Sequence, residues 1–269
     1  MKRTAAVCLT IGVLAGWYGC TEKHTAYRSY EDYPVPESSF VEMRYAPDTT
    51  VFTLWAPTAT EVAVRLYEAA EGGYAYRYIS LLPKKNGIWS GVSTEDLEGK
   101  FYTFEVRTDR WLGETPGINA RVVGVNGQRG AIIHPRTTDP PGWEADKRPV
   151  AIRPEEMVIY ELHLRDFSMD SVSGMNQKGK YLALTERYRT LDRAGSILST
   201  GLDHLLELGV THINLLPVFD FSAVDENYIG NDDYIQHSWG YEPLNHNALE
   251  GSYSTQPTVP AMRIREFKQ

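Results

Sequence analysis

The sequence contains very little cysteine. Only Cys8 and Cys20 occur among its 269 residues, and both lie within the first 20 positions, which we interpret below as an export signal. Once Cys8 is removed with such a signal, no intrachain disulfide is possible. The chain must then be stabilised by its hydrophobic interior, and its length is ample for one large or two modest cores.

Clustered positive charge and nucleotide-binding motifs are also lacking. The net charge is -8, and no basic run occurs beyond the N-terminus, which argues against a nucleic-acid surface. No glycine-rich phosphate loop, nucleophile elbow or dinucleotide fingerprint is present. The seven histidines have no ligand spacing such as His-Glu-x-x-His, so the sequence predicts no metal site and no cofactor.

The N-terminal apolar run is too short to span a bilayer. It covers residues 4–16 behind Lys2 and Arg3, a pattern typical of a secretion signal. Gly19 before Cys20 resembles the bacterial lipoprotein cleavage site, although Trp17 and Tyr18 depart from its usual residues. We expect residues 1–20 to be a lipoprotein-type signal that places the protein on the outer membrane or cell surface through lipidated Cys20. A signal without lipidation is the alternative.

What the sequence does contain is a change of pattern along its length. Residues 21–43 are polar and predict a spacer. Residues 44–110 hold short alternating strands separated by turns such as Asn86-Gly87, which favours an antiparallel β-sandwich. Residues 111–155 predict an irregular connector.

Residues 156–269 have the pattern of strand, helix and strand. Nearly continuous apolar runs at 157–164 and 212–219 predict strands buried on both faces. Between them, Thr200 and Asp203 resemble a capping box, and Gly209 ends the predicted helix. A long loop at 220–259 and a helix with apolar positions Met262, Ile264 and Phe267, beginning at Pro260, complete the prediction.

The segment at 237–256 concentrates aromatic residues among glycine and proline. Trp239 and Tyr241 stand on either side of Gly240, directly after a predicted strand. Exposed aromatic rings on a rigid loop are suited to stacking on sugar rings, and ordinary loop packing is the alternative.

Several segments resemble type I pullulanases, which belong to the α-amylase family of glycoside hydrolases (family 13), preceded by a family 48 carbohydrate-binding module. The resemblance covers about residues 44–269. The matching segments are VFTLWAPTA at 51–59, VVGVNGQRG at 122–130, DPPGW at 139–143, IYELHLRDFS at 159–168, GVTHINLLPVFDF at 209–221 and WGYEPLN at 239–245.

The resemblance implies a multidomain β plus α/β fold. An immunoglobulin-like antiparallel β-sandwich over 44–110 is followed, over 156–269, by the truncated start of a TIM (β/α)8 barrel. It also implies cleavage of α-1,6 links in α-glucans such as pullulan and limit dextrins, with retention by a two-carboxylate mechanism. The family's carboxylates follow later strands, so we expect no catalytic residue in this chain, an N-terminal fragment that is inactive alone.

The resemblance also assigns roles to individual residues. It makes Tyr241 the ring that stacks on substrate and Trp239 a second substrate-binding residue, whereas His237 and Ser238 stand where the family carries Tyr-Asn. Calcium stays open, because family members bind it through scattered oxygen atoms. A stand-alone α-glucan-binding surface lipoprotein without catalysis is the alternative function.

The remaining candidates have structural interpretations. We expect a structural network near the strand end for His163, Arg165 and Asp166. Loop acids are usually solvated or bind a cation rather than take part in catalysis, which is our expectation for Asp220, Asp225 and Glu226. Among the tryptophans, Trp55 is expected in the core, and Trp89 stays open as a glycan contact.

Overall fold

The computed structural model describes residues 27–230 and 236–269. The predicted signal and Cys20 therefore lie outside the described residues. The strands are β1 (Met43–Ala46), β2 (Thr49–Trp55), β3 (Glu61–Tyr67), β4 (Arg77–Ser80), β5 (Leu82–Pro83), β6 (Ile88–Ser93), β7 (Phe101–Arg107), β8 (Gly130–Ala131), β9 (Ile159–Leu162), β10 (Thr190–Arg193), β11 (Ser196–Ser199), β12 (His212–Leu215), β13 (Phe219–Phe221) and β14 (Pro243–Leu249).

Three α-helices accompany these strands. They are α1 (Asp166–Met169), α2 (Gly201–Glu207) and α3 (Pro260–Lys268). Short 3-10 helices lie at Tyr30–Asp32, Lys85–Gly87, Val125–Gly127, Pro135–Thr138, Trp143–Ala145, Pro154–Glu156, Tyr181–Thr185 and Glu226–Tyr228. Within the described ranges, no helix combines the length and apolar character needed to cross a membrane.

The N-terminal half forms two facing antiparallel sheets, as the alternation predicts. One sheet has the order β1-β2-β6-β5 and the other β4-β3-β7-β8. Alternate residues of β2 and β3 point inward, so that Phe52 of one sheet and Val64 of the other belong to one core and are 0% exposed. Burying each such side chain contributes about 1.5–3 kcal/mol.

The turn at Asn86-Gly87 lies where the sequence predicts it. Both residues have positive φ, 59° and 73°, which β5 and β6 need for a tight connection. A Cβ atom on Gly87 would also lie 2.7 Å from Pro57 Cβ. The chain passes from one sheet to the other at buried Leu81, between β4 and β5.

The C-terminal half contains the predicted strand–helix–strand unit. Strands β9 and β12 are parallel, with His212 opposite Ile159, and α2 lies between them in sequence. The prediction of strands buried on both faces is wrong for the described chain, because Ile159 is 64% and Ile213 37% exposed. Within the described residues this sheet has two strands, so each strand has a single neighbour. The barrel stays a prediction.

Two local expectations about helices are also corrected. The Thr200 hydroxyl donates to the Ser173 carbonyl at 2.6 Å and does not cap α2. Asp203 instead accepts from the Arg187 side chain and the Tyr188 backbone N–H. The helix does end before Gly209, whose φ is 73°.

The predicted loop at 220–259 contains a strand, and α3 buries an unexpected face. Strand β14 pairs antiparallel with β13. On α3, which begins at Pro260 as predicted, the buried side chains are those of Arg263 and Glu266, whereas Phe267 is 44% exposed. The buried face is charged because Arg263 pairs with Glu226, 37 residues away, and Glu266 accepts from the backbone N–H and hydroxyl of Thr255.

Polar contacts join the sandwich to the C-terminal half. The Asn126 backbone N–H donates to Glu226 at 3.0 Å, and Asn126 Oδ1 accepts from the Glu226 backbone N–H at 2.8 Å. Asn245 Nδ2 donates to the Gly127 carbonyl at 2.9 Å. These bonds hold the connector between the two halves against β13 and β14.

Candidate glycan-binding site

The loop before β14 displays two aromatic rings. Trp239 is 56% and Tyr241 65% exposed. Between them, Gly240 has φ 85°, and a Cβ atom there would lie 3.0 Å from both the Cβ and the carbonyl oxygen of Pro217. Glycine is therefore required at this position. The loop can approach the end of β12 closely while its rings face outward.

Ser238 fixes the shape of this loop. Its hydroxyl donates to the Glu242 carboxylate at 2.9 Å and accepts the Gly240 backbone N–H at 2.9 Å. The Glu242 carbonyl in turn accepts from the Ser222 backbone N–H at 3.0 Å. A loop held by its own hydrogen bonds loses little entropy when a ligand binds, which favours affinity.

His163 contacts the loop through the ring of Trp239. It follows β9 and is 6% exposed, and its Nε2 is hydrogen-bonded to the Tyr253 hydroxyl at 3.0 Å. Trp239 packs edge-on against the His163 ring with centroids 5.5 Å apart. Burial lowers the pKa of His163, and the nearby Asp166 carboxylate acts in the opposite direction.

Asp166 lies between two imidazole rings. Its Oδ2 is 3.2 Å from His163 Nδ1 and 3.0 Å from His237 Nε2, while its Oδ1 pairs with Arg165 at 3.0 Å. The predicted network of His163, Arg165 and Asp166 is therefore present in the structure. Sequence reasoning missed His237 as a member, because it lies 71 residues from Asp166.

Beneath the loop lies a buried cluster of charged side chains. Asp220, Glu226, Glu250 and Arg263 are each at most 3% exposed. Arg263 Nη2 donates to Glu226 at 2.9 Å, and its Nη1 is 3.9 Å from Asp220 Oδ1. The expectation that Asp220 and Glu226 are solvated is wrong, because β14 and α3 cover them.

Backbone and side-chain N–H groups satisfy most oxygens of this cluster. Glu226 accepts from Gly251 N at 2.9 Å, and Glu250 accepts from Phe221 N at 3.1 Å and Ser252 N at 2.9 Å. Burial nevertheless raises the pKa of Glu250 to about 8 and that of Asp220 to about 6. These acids hold loops together in the interior.

A cleft of about 620 Å³ opens beside the loop. Its lining includes Arg165, Lys180, Phe221, Ser238 and Tyr253. Lys180 Nζ donates to the Ser252 carbonyl at 2.8 Å and the Ser254 carbonyl at 2.9 Å, which fixes the far wall. The volume and mixed polar and aromatic lining suit a small polar ligand with apolar faces.

A second aromatic surface lies on the outer face of the β4-β3-β7-β8 sheet. Tyr78 is 57% and Trp111 42% exposed. Arg65 lies over the Tyr78 ring at 5.2 Å, and Arg107 lies over the Trp111 ring at 5.8 Å. Sequence reasoning did not select this face, although the outward position of Tyr78 in a strand was available as a signal.

Trp55 and Trp89 do not lie on this face. Trp89 is 8% exposed, and its Nε1 donates to the Ala56 carbonyl at 3.0 Å. Its interpretation as a possible glycan contact is therefore wrong in this structure. Trp55 is half-buried and lies outside the apolar core cluster, so its predicted core position is not confirmed. Its Nε1 donates to the Pro34 carbonyl at 2.9 Å.

Comparison with known protein families identifies a domain in the N-terminal half. Residues 41–123 match carbohydrate-binding module 48 (isoamylase N-terminal domain). This range covers most of the two facing sheets. The domain boundaries predicted from the sequence stay predictions.

Similarity extends well beyond this module. The pullulanase of Bacillus subtilis (strain 168) is 42% identical over 226 residues, which is 84% of this chain and 29% of that protein. The chloroplastic pullulanase 1 of Arabidopsis thaliana is 32% identical over 263 residues, covering 84% of this chain and 26% of that protein. This chain is similar to the N-terminal region of pullulanases.

Solved pullulanase structures show the same relationship. Pullulanase from Paenibacillus barengoltzii in complex with maltohexaose and alpha-cyclodextrin matches with TM-score 0.81 and 43% identity, covering 88% of this chain and 36% of that chain. The pullulanase from Bacillus acidopullulyticus matches with TM-score 0.79 and 36% identity, covering 88% and 28%. The pullulanase-like chain thus spans about a third of the length of these relatives.

Proposed function

We propose that this chain belongs to a pullulanase-like glycoside hydrolase that acts on α-1,6 links of α-glucans such as pullulan and limit dextrins. The similarity to pullulanases over 84% of the chain supports the reaction class. A carbohydrate-binding module preceding the C-terminal half supports a polymeric or oligomeric glucan as the partner.

The observation that carries the proposal is the pair of exposed rings at the end of β9 and β12. In parallel strand–helix units, binding sites form at the carboxyl ends of the strands. Trp239 and Tyr241 lie at this end, above His163 and Pro217. We assign Tyr241 to stacking on a glucose ring and Trp239 to a neighbouring contact.

The proposal places the two carboxylates of a retaining hydrolysis outside this chain. Such groups lie about 5 Å apart and must reach the substrate. Asp220, Glu226 and Glu250 are close together, but they are at most 3% exposed and are bonded to interior N–H groups. We therefore expect the chain to bind α-glucan and to release no maltotriose from pullulan.

The test is calorimetric titration of the purified protein with maltohexaose. We expect Tyr241→Ala to weaken binding about tenfold, which corresponds to about 1.4 kcal/mol. Tyr188→Ala is the matched control, because Tyr188 is 86% exposed and is not part of the Trp239–Tyr241 loop. Equal affinity of Y241A and the unaltered chain would contradict the assigned ring, and maltotriose release would contradict the expected inactivity.

The alternative is a stand-alone α-glucan-binding surface lipoprotein. The exposed Tyr78 and Trp111 on the module favour it, because a binding protein needs only this face. If the double variant Y78A/W111A loses all glucan binding while Y241A loses none, the alternative is preferred. Sequencing the gene past codon 269 then decides whether the strands of a barrel follow.

Export and lipidation are part of both proposals. The predicted signal at 1–20 would deliver the chain to the cell surface, with Cys20 as the lipid attachment site. Labelling cells with a radioactive fatty acid tests this directly. Incorporation by the unaltered chain and none by Cys20→Ala is expected, and equal labelling of both would contradict the assignment.

A further inference from the structure

Three potential metal ligands converge beside the exposed loop. They are His163, Asp166 and His237, and their ligand atoms all lie within 4.8 Å of one another. The first two follow β9 closely, whereas His237 belongs to the loop before β14. Two imidazoles and one carboxylate are a ligand set suited to zinc and related divalent transition metals.

The spacing of these atoms matches metal coordination. Asp166 Oδ2 is 3.2 Å from His163 Nδ1 and 3.0 Å from His237 Nε2. Zinc bonds of about 2.0–2.2 Å in a tetrahedron separate neighbouring ligand atoms by about 3.3 Å. The two spacings that involve Asp166 are therefore close to those of a tetrahedral zinc site, and all three ligand atoms lie within 4.8 Å of one another.

The surroundings orient two of the three ligands. The Tyr253 hydroxyl is hydrogen-bonded to His163 Nε2 at 3.0 Å, which leaves Nδ1 as the nitrogen that faces Asp166. Arg165 pairs with Asp166 Oδ1 at 3.0 Å and leaves Oδ2 between the imidazoles. Outer partners that fix a ring and a carboxylate in this way are a regular part of metal sites.

Solvent can reach this group of atoms. The side chains of Asp166 and His237 are 38% and 39% exposed, whereas that of His163 is 4% exposed. An ion held by three protein ligands would therefore keep a position open for water. Trp239 packs edge-on against both imidazoles, at 5.5 Å and 5.2 Å between centroids, and forms an aromatic wall.

The second convergent group of acids does not offer such a site. Glu226 and Glu250 already accept four backbone N–H bonds in total, and Arg263 supplies a positive charge. The hydrogen atoms of these N–H groups point at the carboxylate oxygens to which an ion would have to bind. At His163 one donor competes, because the Asp166 backbone N–H approaches Nδ1 at 3.3 Å in a long hydrogen bond that metal binding would replace. Asp166 Oδ2 itself lies between two imidazole nitrogens.

We propose that His163, Asp166 and His237 form a binding site for a divalent transition metal ion of the zinc class, which fastens the Trp239–Tyr241 loop to the end of β9. This site is independent of the proposed hydrolase function, because it rests on ligand geometry alone. It replaces the sequence-based expectation that no metal site exists.

The test is a titration of the purified protein with Zn²⁺ against a chelating dye, together with the absorption spectrum of bound Co²⁺. We expect one ion per chain and a tetrahedral Co²⁺ spectrum. His237→Phe keeps a ring against Trp239 but removes both nitrogens, and should weaken binding by more than about 100-fold, since outer partners alone are worth about 10- to 100-fold.

Two further variants make the result decisive. His204→Phe is the matched control, because His204 is exposed on α2 and should leave Zn²⁺ affinity unchanged. Tyr253→Phe removes the partner of His163 Nε2 and should weaken binding by about tenfold. No binding by the unaltered protein, or the same affinity in H237F, would overturn the proposal. Equal losses in H204F and H237F would show adventitious binding at surface histidines.

Discussion

The two halves of the molecule are stabilised by different kinds of interior. In the sandwich, residues such as Phe52, Val64 and Phe104 form one apolar cluster with 0% exposure. In the C-terminal half, a smaller apolar cluster lies beside Asp220, Glu226, Glu250 and Arg263. Apolar contacts tolerate small shifts, whereas buried charges require particular partners at particular distances.

The two interiors also differ in how far apart in the sequence their contacting residues lie. The sandwich core follows from alternation within single strands, such as β2 and β3. The charged cluster joins residues 25 to 100 positions apart, for example Glu226 with Gly251 and with Asn126. We therefore expect the C-terminal half to be the more sensitive to loss of one polar group and to pH.

The largest expected effect is that of Arg263→Met. Removing this guanidinium leaves the buried Glu226 and Asp220 without their cation, and breaking a buried pair costs about 3–5 kcal/mol. Urea denaturation measures the loss of unfolding free energy. Arg265→Met is the matched control on the same helix, because Arg265 is only half-buried and should change stability by less than about 0.5 kcal/mol. If R263M and R265M were equally stable, the buried charged cluster would not stabilise the C-terminal half.

A comparable apolar deletion in the sandwich ranks next. Leu66→Ala removes a side chain with 0% exposure and should cost about 3 kcal/mol, including the cavity. Leu82→Ala, at a position that is 62% exposed, should cost less than about 0.5 kcal/mol. If the two variants unfold at the same urea concentration, the described core does not stabilise this half.

The two halves should also differ in how their stability depends on pH. In the folded chain the pKa of Glu250 is raised to about 8 and that of Asp220 to about 6, above the usual 4.5 and 3.8. The folded state then binds more protons than the unfolded state between about pH 4 and 8. The stability from these groups is fully present below the unfolded pKa values and is lost as pH rises through the folded ones.

Glu250→Gln tests this dependence. It should flatten the fall of stability between pH 5 and 8, an effect on the order of 2 kcal/mol at pH 8. Thermal melts at several pH values, followed by tryptophan fluorescence, provide the measurement. The same slope in E250Q and the unaltered chain would show that another group titrates.

The smallest expected effect concerns a turn in the sandwich. Gly87→Ala places a Cβ atom 2.7 Å from Pro57 Cβ at a positive φ, whereas Gly72→Ala meets nothing within 4 Å at a similar φ. Both substitutions carry backbone strain of about 1 kcal/mol, and the clash adds to it only at Gly87. The difference between the two melting temperatures therefore measures the clash alone.

Much of the fold could be predicted from the sequence. The strand Glu61–Tyr67 and the turn at Asn86-Gly87 agree with the structure, because alternation and left-handed turn residues are local signals. The capping box at Thr200 was wrong, since its hydroxyl bonds to Ser173, 27 residues away. Local pattern cannot reveal a partner at that distance.

The candidate site was only partly predictable. Aromatic residues around Gly240 mark a loop that displays rings, and the structure exposes both of them. Their role in binding stays a prediction. Two contacts carry no signal in the neighbouring sequence: that of His237 with Asp166, and that of buried Glu226 with Arg263 of α3.

The alternating strands of the sandwich and the strand–helix–strand order that follows are encoded locally in the amino-acid sequence. These depend on side-chain period and turn chemistry, which act over a few residues. Which polar groups meet follows instead from tertiary packing: Asp166 lies between two imidazoles, and Arg263 pairs with Glu226 and lies near Asp220. Long-range pairing of charges depends on how whole elements pack, so no local pattern encodes it.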